Sequence, residues 1–267
     1  MKIGVIGAGK LGICFALLLE KSGYEVIVSD CREDYILNLN KKIIDTEEPK
    51  VEEFLSTAKN FSATTNNTEV IEQCDIIYTL VATPSLSNGS YDVSSVWEVI
   101  DDIRSCEFSL EGKGFVVGCT TNPGDCEMFQ SQLNPYGVDV YYNPEFIAQG
   151  SIIKDLQYSD MVLIGGKGKH LDIIKEIYTK IQISELNIYN MSTTSAEIVK
   201  LAVNCFLTTK ISYANMVGEV MILSGLEDEV GTVLNAIGSD SRIGHKFLRF
   251  CIPHYFGDTQ PKNNLMN

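Results

Sequence analysis

Residues 2–30, KIGVIGAGKLGICFALLLEKSGYEVIVSD, decide the reading of this chain. KIGVIG is a short apolar run that closes on glycine, the pattern of a buried strand. LGICFALLLE (11–20) has helical length and composition, and Gly23 stands where such a helix stops. EVIVSD (25–30) is a second strand and ends in an acid. Between the first strand and the helix, Gly7, Gly9 and Gly12 are spaced G-x-G-x-x-G around Lys10 and Leu11, and Asp30 follows 18 residues after the last glycine. The spacing has a physical cause. Glycines let the chain turn tightly and let N–H groups at a helix N-terminus approach a pyrophosphate, while an acid ending the next strand takes a ribose diol. The segment therefore predicts a dinucleotide site. A carboxylate at 30 repels a 2′-phosphate, so NAD is expected over NADP, with Arg32 two residues on as the opposing feature.

Further apolar runs bounded by turn residues are CDIIYTLVA (74–82), KGFVVGCTT (113–121), VDVYYNP (138–144) and DMVLIGG (160–166), with helical stretches near 33–44, 93–105 and 170–182 between them. Strand alternating with helix predicts an α/β fold built on a doubly wound parallel sheet. VATPS (81–85) puts Val81, Ala82, Thr83 and Pro84 on a loop at a strand's carboxyl end, where open α/β sheets bind ligands. CTTNPG (119–124) and NPEFIAQG (143–150) follow two other strands in the same way. Either of the first two alone reads equally well as an ordinary strand ending; together the three loops are expected to converge on one edge of the sheet.

From Thr193 the texture changes: TTSAEIVKLAVNCFLTTKISYANMVGEVMILSGL has no proline and one interior glycine, and Thr194 and Glu197 stand in capping-box spacing. This is a long helix, followed from 227 by a short helix, the stretch SDSRIGHKFLRF and a polar tail. Its apolar positions 198, 199, 201, 202, 203, 205, 206 and 207 go nearly all the way round, so it is expected to be buried on most sides, against the sheet domain or a second subunit. Lys200 sits among them. A buried ammonium is costly unless paired, and burial favours the neutral amine, which can take a proton. Asn204 and Glu197 share its face. The alternative is a surface lysine with Glu197 as its ion-pair partner. Arg242, an isolated cation after a polar turn, either holds an anionic substrate group or caps a helix. The histidines 170, 245 and 254 have no triad or metal-ligand spacing and read as surface or structural.

Across 267 residues, 35 acidic against 21 basic side chains give a net charge of -14, which disfavours sequence-independent binding to nucleic acid. The 8 cysteines form no CxxC pair and lie mostly in apolar surroundings, so buried reduced thiols are expected rather than a disulfide frame or a metal site. No segment has the length and hydropathy of a membrane span, and a cytoplasmic protein is expected.

Taken together, GAGKLG with Asp30, VATPS, CTTNPG, NPEFIAQG, SAEIVKLAVN with KISYAN, and SRIGHKFL resemble, in order and approximate spacing, the UDP-glucose/GDP-mannose dehydrogenase family over residues 1 to about 250. The resemblance implies a Rossmann-type NAD-binding domain over 1–190 and a central helical domain over 191–267, with a homodimer through the 194–225 helix. The family's third, nucleotide-gripping domain is expected to have no counterpart here. It further implies a nucleotide-sugar substrate whose C6 alcohol is oxidised by two hydride transfers to NAD through a thiol-linked intermediate. Carried over by position, Glu145 matches the active-site glutamate with Phe146 beside it at the substrate. Lys200 and Asn204 match the catalytic lysine and asparagine, Thr121 the loop threonine near the reacting centre, and Arg242 the RIG element near the substrate.

The departures matter as much. Where the family has a glycine-rich loop ending in a cysteine and then Pro-Lys-Asp, this chain reads FCIPHYFGDTQPKNN (250–264). The thiol position falls on Thr259, or on Asp258 with a shift of one residue, and the following aspartate becomes Asn263 or Lys262. Cys251 lies seven or eight residues upstream, and Gln149 stands where members often carry a second glutamate. Without the thiol, a single alcohol oxidation is expected. The alternatives are a catalytically degenerate dinucleotide-binding member and a 3-hydroxyacid-type dehydrogenase, which the NPEF and RIG elements disfavour.

Overall fold

The computed structural model describes residues 1–147 and 150–250. It divides into two compact units that part between Ile198 and Val199. The first unit opens with β1 (Lys2–Ile6), α1 (Lys10–Lys21), β2 (Glu25–Ser29), α2 (Glu33–Asn40), α3 (Val51–Thr57), β3 (Phe61–Thr64) and α4 (Asn67–Gln73). It continues with β4 (Ile76–Thr79), α5 (Ser94–Arg104), β5 (Gly114–Val117), α6 (Asp125–Leu133), β6 (Asp139–Tyr142), α7 (Ile152–Gln157), β7 (Val162–Gly165), α8 (Leu171–Ile181) and β8 (Ile188–Met191).

These strands form one sheet in the order β3-β2-β1-β4-β5-β6-β7-β8. Neighbours are parallel except β6 and β7, which meet antiparallel through Tyr142 and Gly165. The doubly wound α/β sheet is therefore as expected, with one correction: the sheet is not parallel throughout. Strand order reverses between β1 and β4, and Leu80 N–H donates to Ile6 O at 2.8 Å, so the loops leaving these two strands start side by side at the switch point.

Apolar periodicity explains the layers. α5 buries Val96, Val99, Ile100 and Ile103, and α8 buries Ile174, Ile177, Tyr178 and Ile181, both on the i, i+3, i+4, i+7 stripe of a helix covering a sheet. Each such aliphatic side chain contributes about 1.5–3 kcal/mol of burial free energy. α1 is buried continuously from Gly12 to Glu20 because it packs on α3, α7 and α8 as well as on the sheet. Gly23, at φ +90°, ends its chain path in the left-handed conformation.

α9 (Thr193–Leu223) runs 31 residues, and α10 (Val230–Gly238) follows after a short turn. In the second unit Val230 and Leu234 of α10 make a small core with Ala214 of α9 and Leu248. One expectation needs correction. The N-cap is Ser192, whose Oγ accepts from Ser195 N–H at 3.2 Å; Thr194 instead donates to Glu127, and Glu197 turns inward. Along α9, Ile198, Phe206, Met216, Val220 and Leu223 are more than half exposed in the single chain, which leaves a second subunit as the expected cover. The thiols also divide. Cys14, Cys74, Cys119 and Cys126 are buried, and burial pushes the first three up to about 12, whereas Cys31 and Cys205 are exposed.

Candidate active site

The turn after β1 is built for close approach. Gly7 has φ +96°, and a Cβ there would stand 2.7 Å from Leu80 O; a Cβ on Gly12 would stand 1.9 Å from Gly7 O. These two glycines are fixed by the protein's own backbone. Gly9 is different: nothing lies within 4 Å of where its Cβ would be. It is the N-cap of α1 without a side-chain cap, and the first helical hydrogen bond is Ile13 N–H to Gly9 O. The preceding N–H groups of Lys10, Leu11 and Gly12 therefore lie ahead of the helical ladder, beside open space, in the positive end of the helix dipole. A pyrophosphate fits this cradle.

Across from it, Asp30 follows β2. Arg32 holds its carboxylate by a two-pronged fork, Nε to Oδ1 at 2.7 Å and Nη2 to Oδ2 at 2.8 Å, with Arg32 N–H on Oδ1 at 3.1 Å. Burial pushes the Asp30 carboxyl up, but the arginine outweighs it and the group sits below the usual carboxylate range. Asp30 is thus ionised, yet its charge is locally matched. Val81 and Thr83 are half-buried and Ala82 is exposed on the loop after β4.

The loops after β4 and β5 are fastened together. Asn122 Nδ2 donates to Tyr91 O at 3.0 Å, and Tyr91 N–H donates to Asn122 Oδ1 at 2.8 Å. Behind this loop lies Glu197, fully buried, whose carboxylate accepts from Thr121 Oγ1 at 2.9 Å, Gly124 N–H at 2.7 Å and Cys126 N–H at 2.9 Å. Gly124 is the N-cap of α6, so the carboxylate supplies the anion that this helix start favours. Glu197 is therefore no surface partner of Lys200. Thr121 is itself fully buried, its hydroxyl hydrogen committed to Glu197.

Glu145 and Phe146, after β6, are half-buried. Tyr178 Oη lies 2.5 Å from Glu145 Oε1 and 2.7 Å from Asn143 Oδ1. Asn143 Nδ2 donates to Leu163 O at 2.9 Å, which turns its oxygen toward the tyrosine. One hydroxyl hydrogen faces two acceptors, the Glu145 carboxyl and the Asn143 amide oxygen. Burial, then the neighbouring Glu145, push the Tyr178 hydroxyl well above its ordinary range and keep it a donor. Glu48, between α2 and α3, is a residue that sequence reasoning missed. It is buried and accepts from Gly150 N–H at 2.6 Å and Ile152 N–H at 3.1 Å, anchoring the far end of the NPEFIAQG loop. In DTEEPK it looks like one more solvent acid, and nothing in the sequence marks it.

In the second unit Lys200 is 8 % exposed and Asn204, one turn on, is half-buried. Arg242 is exposed and forks Asp240 at 3.0 and 2.6 Å. Lys210, also missed, donates to Ile243 O at 2.9 Å and fixes the RIG segment to α9. Asp258, Thr259, Lys262, Asn263, Cys251 and Gln149 lie outside the described residues. Among the described residues no group of His, Cys, Asp or Glu is arranged to hold a metal.

A glycine cradle at the switch point of a doubly wound sheet, facing an acid after the second strand, defines a dinucleotide-binding protein. Comparison with known proteins makes this specific. The family model for the NAD binding domain of UDP-glucose/GDP-mannose dehydrogenases matches residues 1–182, and that for their central domain matches 194–263. The chain belongs to the UDP-glucose/GDP-mannose dehydrogenase family. It is 30% identical over 273 residues to the UDP-glucose 6-dehydrogenase of Rickettsia conorii, covering 99% of this chain and 61% of that one. To the UDP-glucose 6-dehydrogenase of Rhizobium meliloti it is 30% identical over 277 residues, covering 99% and 62%. Among solved structures, the UDP-glucose dehydrogenase of Pyrobaculum islandicum superposes with a TM-score of 0.82 at 26% identity, over 92% of this chain and 58% of that chain. The GDP-mannose dehydrogenase of Pseudomonas aeruginosa gives 0.79 at 26% identity, over 93% and 59%. The chain thus spans about three fifths of the length of these relatives.

Proposed function

We propose that this chain is the cofactor-binding and central part of a nucleotide-sugar dehydrogenase that oxidises a sugar-nucleotide alcohol by one hydride transfer to NAD. Its working division is a cofactor domain over 1–190 and a substrate and dimer domain from 191. The observation that carries the reading is the cradle of Gly7, Gly9 and Gly12 opposite Asp30, in a chain of this family. When bound, NAD supplies the hydride acceptor for the alcohol carbon. Lys200 takes the proton from the alcohol oxygen as the C–H electron pair leaves, so the alcohol becomes an aldehyde. Asn204 orients that oxygen, Glu145, held by Tyr178, helps position it, and Phe146 and Arg242 contact the body of the substrate. Thr259, or Asp258, offers no thiolate for a covalent second step, which supports a stop at the aldehyde.

The test mixes the protein with NAD and, in turn, UDP-glucose, a UDP-N-acetylhexosamine and GDP-mannose, counting NADH at the reduced-nicotinamide band and assaying aldehyde against acid. One NADH per sugar with aldehyde is expected. Two per sugar with acid would refute the single step, and dinucleotide binding without turnover on any sugar would favour the non-catalytic alternative.

We further propose a homodimer through the 194–225 helix. Ala202, Phe206, Tyr213, Met216, Val220 and Leu223, exposed along α9, fall at alternating intervals of four and three residues once Thr209 is counted between them. That is the spacing of a helix–helix seam, and an apolar stripe of this length is costly in water. Sedimentation at micromolar concentration is expected to give a dimer that Val220→Asp weakens; a wild-type monomer would refute it. A cytoplasmic place in nucleotide-sugar supply for polysaccharide synthesis belongs to the same reading. No helix among the described residues is long and apolar enough to cross a membrane.

A further inference from the structure

Asp30 is the residue that the sequence offers for the cofactor's adenosine ribose, but the structure puts Arg32 in front of it. The guanidinium forks both carboxylate oxygens and also donates from Nη2 to Ala8 O at 3.3 Å, within the glycine turn. It therefore spans the gap between the two elements that bracket a dinucleotide's ribose. Its carbon lies 4.1 Å from the ring centroid of Tyr35, so one face of the plane is stacked on the aromatic ring. The side chain nevertheless remains 54% exposed, so surface is left for a second planar group.

The same Asp-x-Arg fork recurs at Asp240 and Arg242, so the fork by itself is local geometry with no ligand implied. Only Arg32 adds the stacked tyrosine and the reach into the glycine turn. A guanidinium held flat by a carboxylate on its edge and a ring on one face has lost most of its rotamer freedom before a ligand arrives. Its remaining face matches a purine. Glu33 and Asp34 follow in the first turn of α2, so a further phosphate on the ribose meets acids there.

Resting on the dinucleotide reading above, we propose that Arg32 is the adenosine-recognition residue of the cofactor site. It stacks the adenine on its open face, while Asp30, held in place by the fork, receives the ribose hydroxyls. Recognition of the adenosine half then depends on the planar cation as much as on the acid.

The test is calorimetric binding of three probes, NADH, ADP-ribose and nicotinamide mononucleotide, to the wild type, Arg32→Ala and Arg32→Lys, with NADPH as a fourth probe on the wild type. Arg32→Ala is expected to weaken NADH and ADP-ribose alike, by about tenfold, and to leave nicotinamide mononucleotide unchanged. Arg32→Lys keeps the charge without the plane and is expected to lose nearly as much. Unchanged NADH affinity in Arg32→Ala would overturn the proposal, as would full retention in Arg32→Lys, because a point charge would then suffice. NADPH binding as tightly as NADH would also overturn it, since the guanidinium would then be reading a phosphate. A wild type that binds neither NADH nor ADP-ribose would instead bring down the cofactor reading beneath it.

Discussion

Replacing Glu197 by alanine is expected to lower the stability of the protein by about 3–5 kcal/mol, read as the shift in urea midpoint at constant slope. Its carboxylate is fully buried and takes three donors: the Thr121 hydroxyl and the N–H groups of Gly124 and Cys126. Hydrogen bonds to a charged acceptor contribute about 1.5–3 kcal/mol each, and donors left buried without an acceptor cost about 1–3 kcal/mol. The total falls short of the sum because the loop relaxes and water can enter the space. Glu197→Gln keeps the shape but turns an NH2 group toward donors, so it recovers only part of the loss. An alanine variant within about 0.5 kcal/mol of the wild type, the range of surface substitutions, would mean that the carboxylate does not hold this loop.

Glu197 also marks the limit of what the sequence made legible. The first βαβ unit was readable because a central, doubly covered strand must be apolar along its whole length, as KIGVI and EVIVS are. The edge strands FSAT and IYNM were not, because each is partly solvated and carries no such run. The short helices α3, α4, α6 and α7, of six to nine residues, leave too few turns for periodicity to register. In the site, glycine and acid positions follow from local spacing, so the cradle and Asp30 could be named from the chain alone. The partners of Glu197, Glu48 and Tyr178 are 33 to 104 residues distant in sequence, and an acid anchored on backbone N–H groups looks the same on paper as one in water. The capping-box reading of Thr194 and Glu197 failed for that reason: a buried site three donors strong outcompeted a local cap.

The second large effect concerns Gly9, and it separates folding from binding. Gly9 has φ -66° and ψ -171°, ordinary extended backbone for an N-cap, and open space where a Cβ would go. Aspartate is among the best N-cap residues, so Gly9→Asp is expected to fold with its melting temperature unchanged or slightly raised, by at most about 1 kcal/mol of capping. Its carboxylate would sit on the N–H groups at the start of α1 and repel a pyrophosphate. Dinucleotide affinity is expected to fall on the order of hundredfold or more, about 3 kcal/mol. A Gly12→Ala variant is no substitute, because its Cβ would strike Gly7 O and unfold the question along with the turn.

The most direct measurement is thus a calorimetric titration of NADH into the wild type and Gly9→Asp, with a thermal melt of each in the same buffer. The cradle predicts saturable binding of one NADH per chain to the wild type, and its loss in a variant that melts no lower. Equal NADH affinity in the two proteins would contradict the placement of the cofactor on the glycine turn, and with it the dehydrogenase reading built upon it.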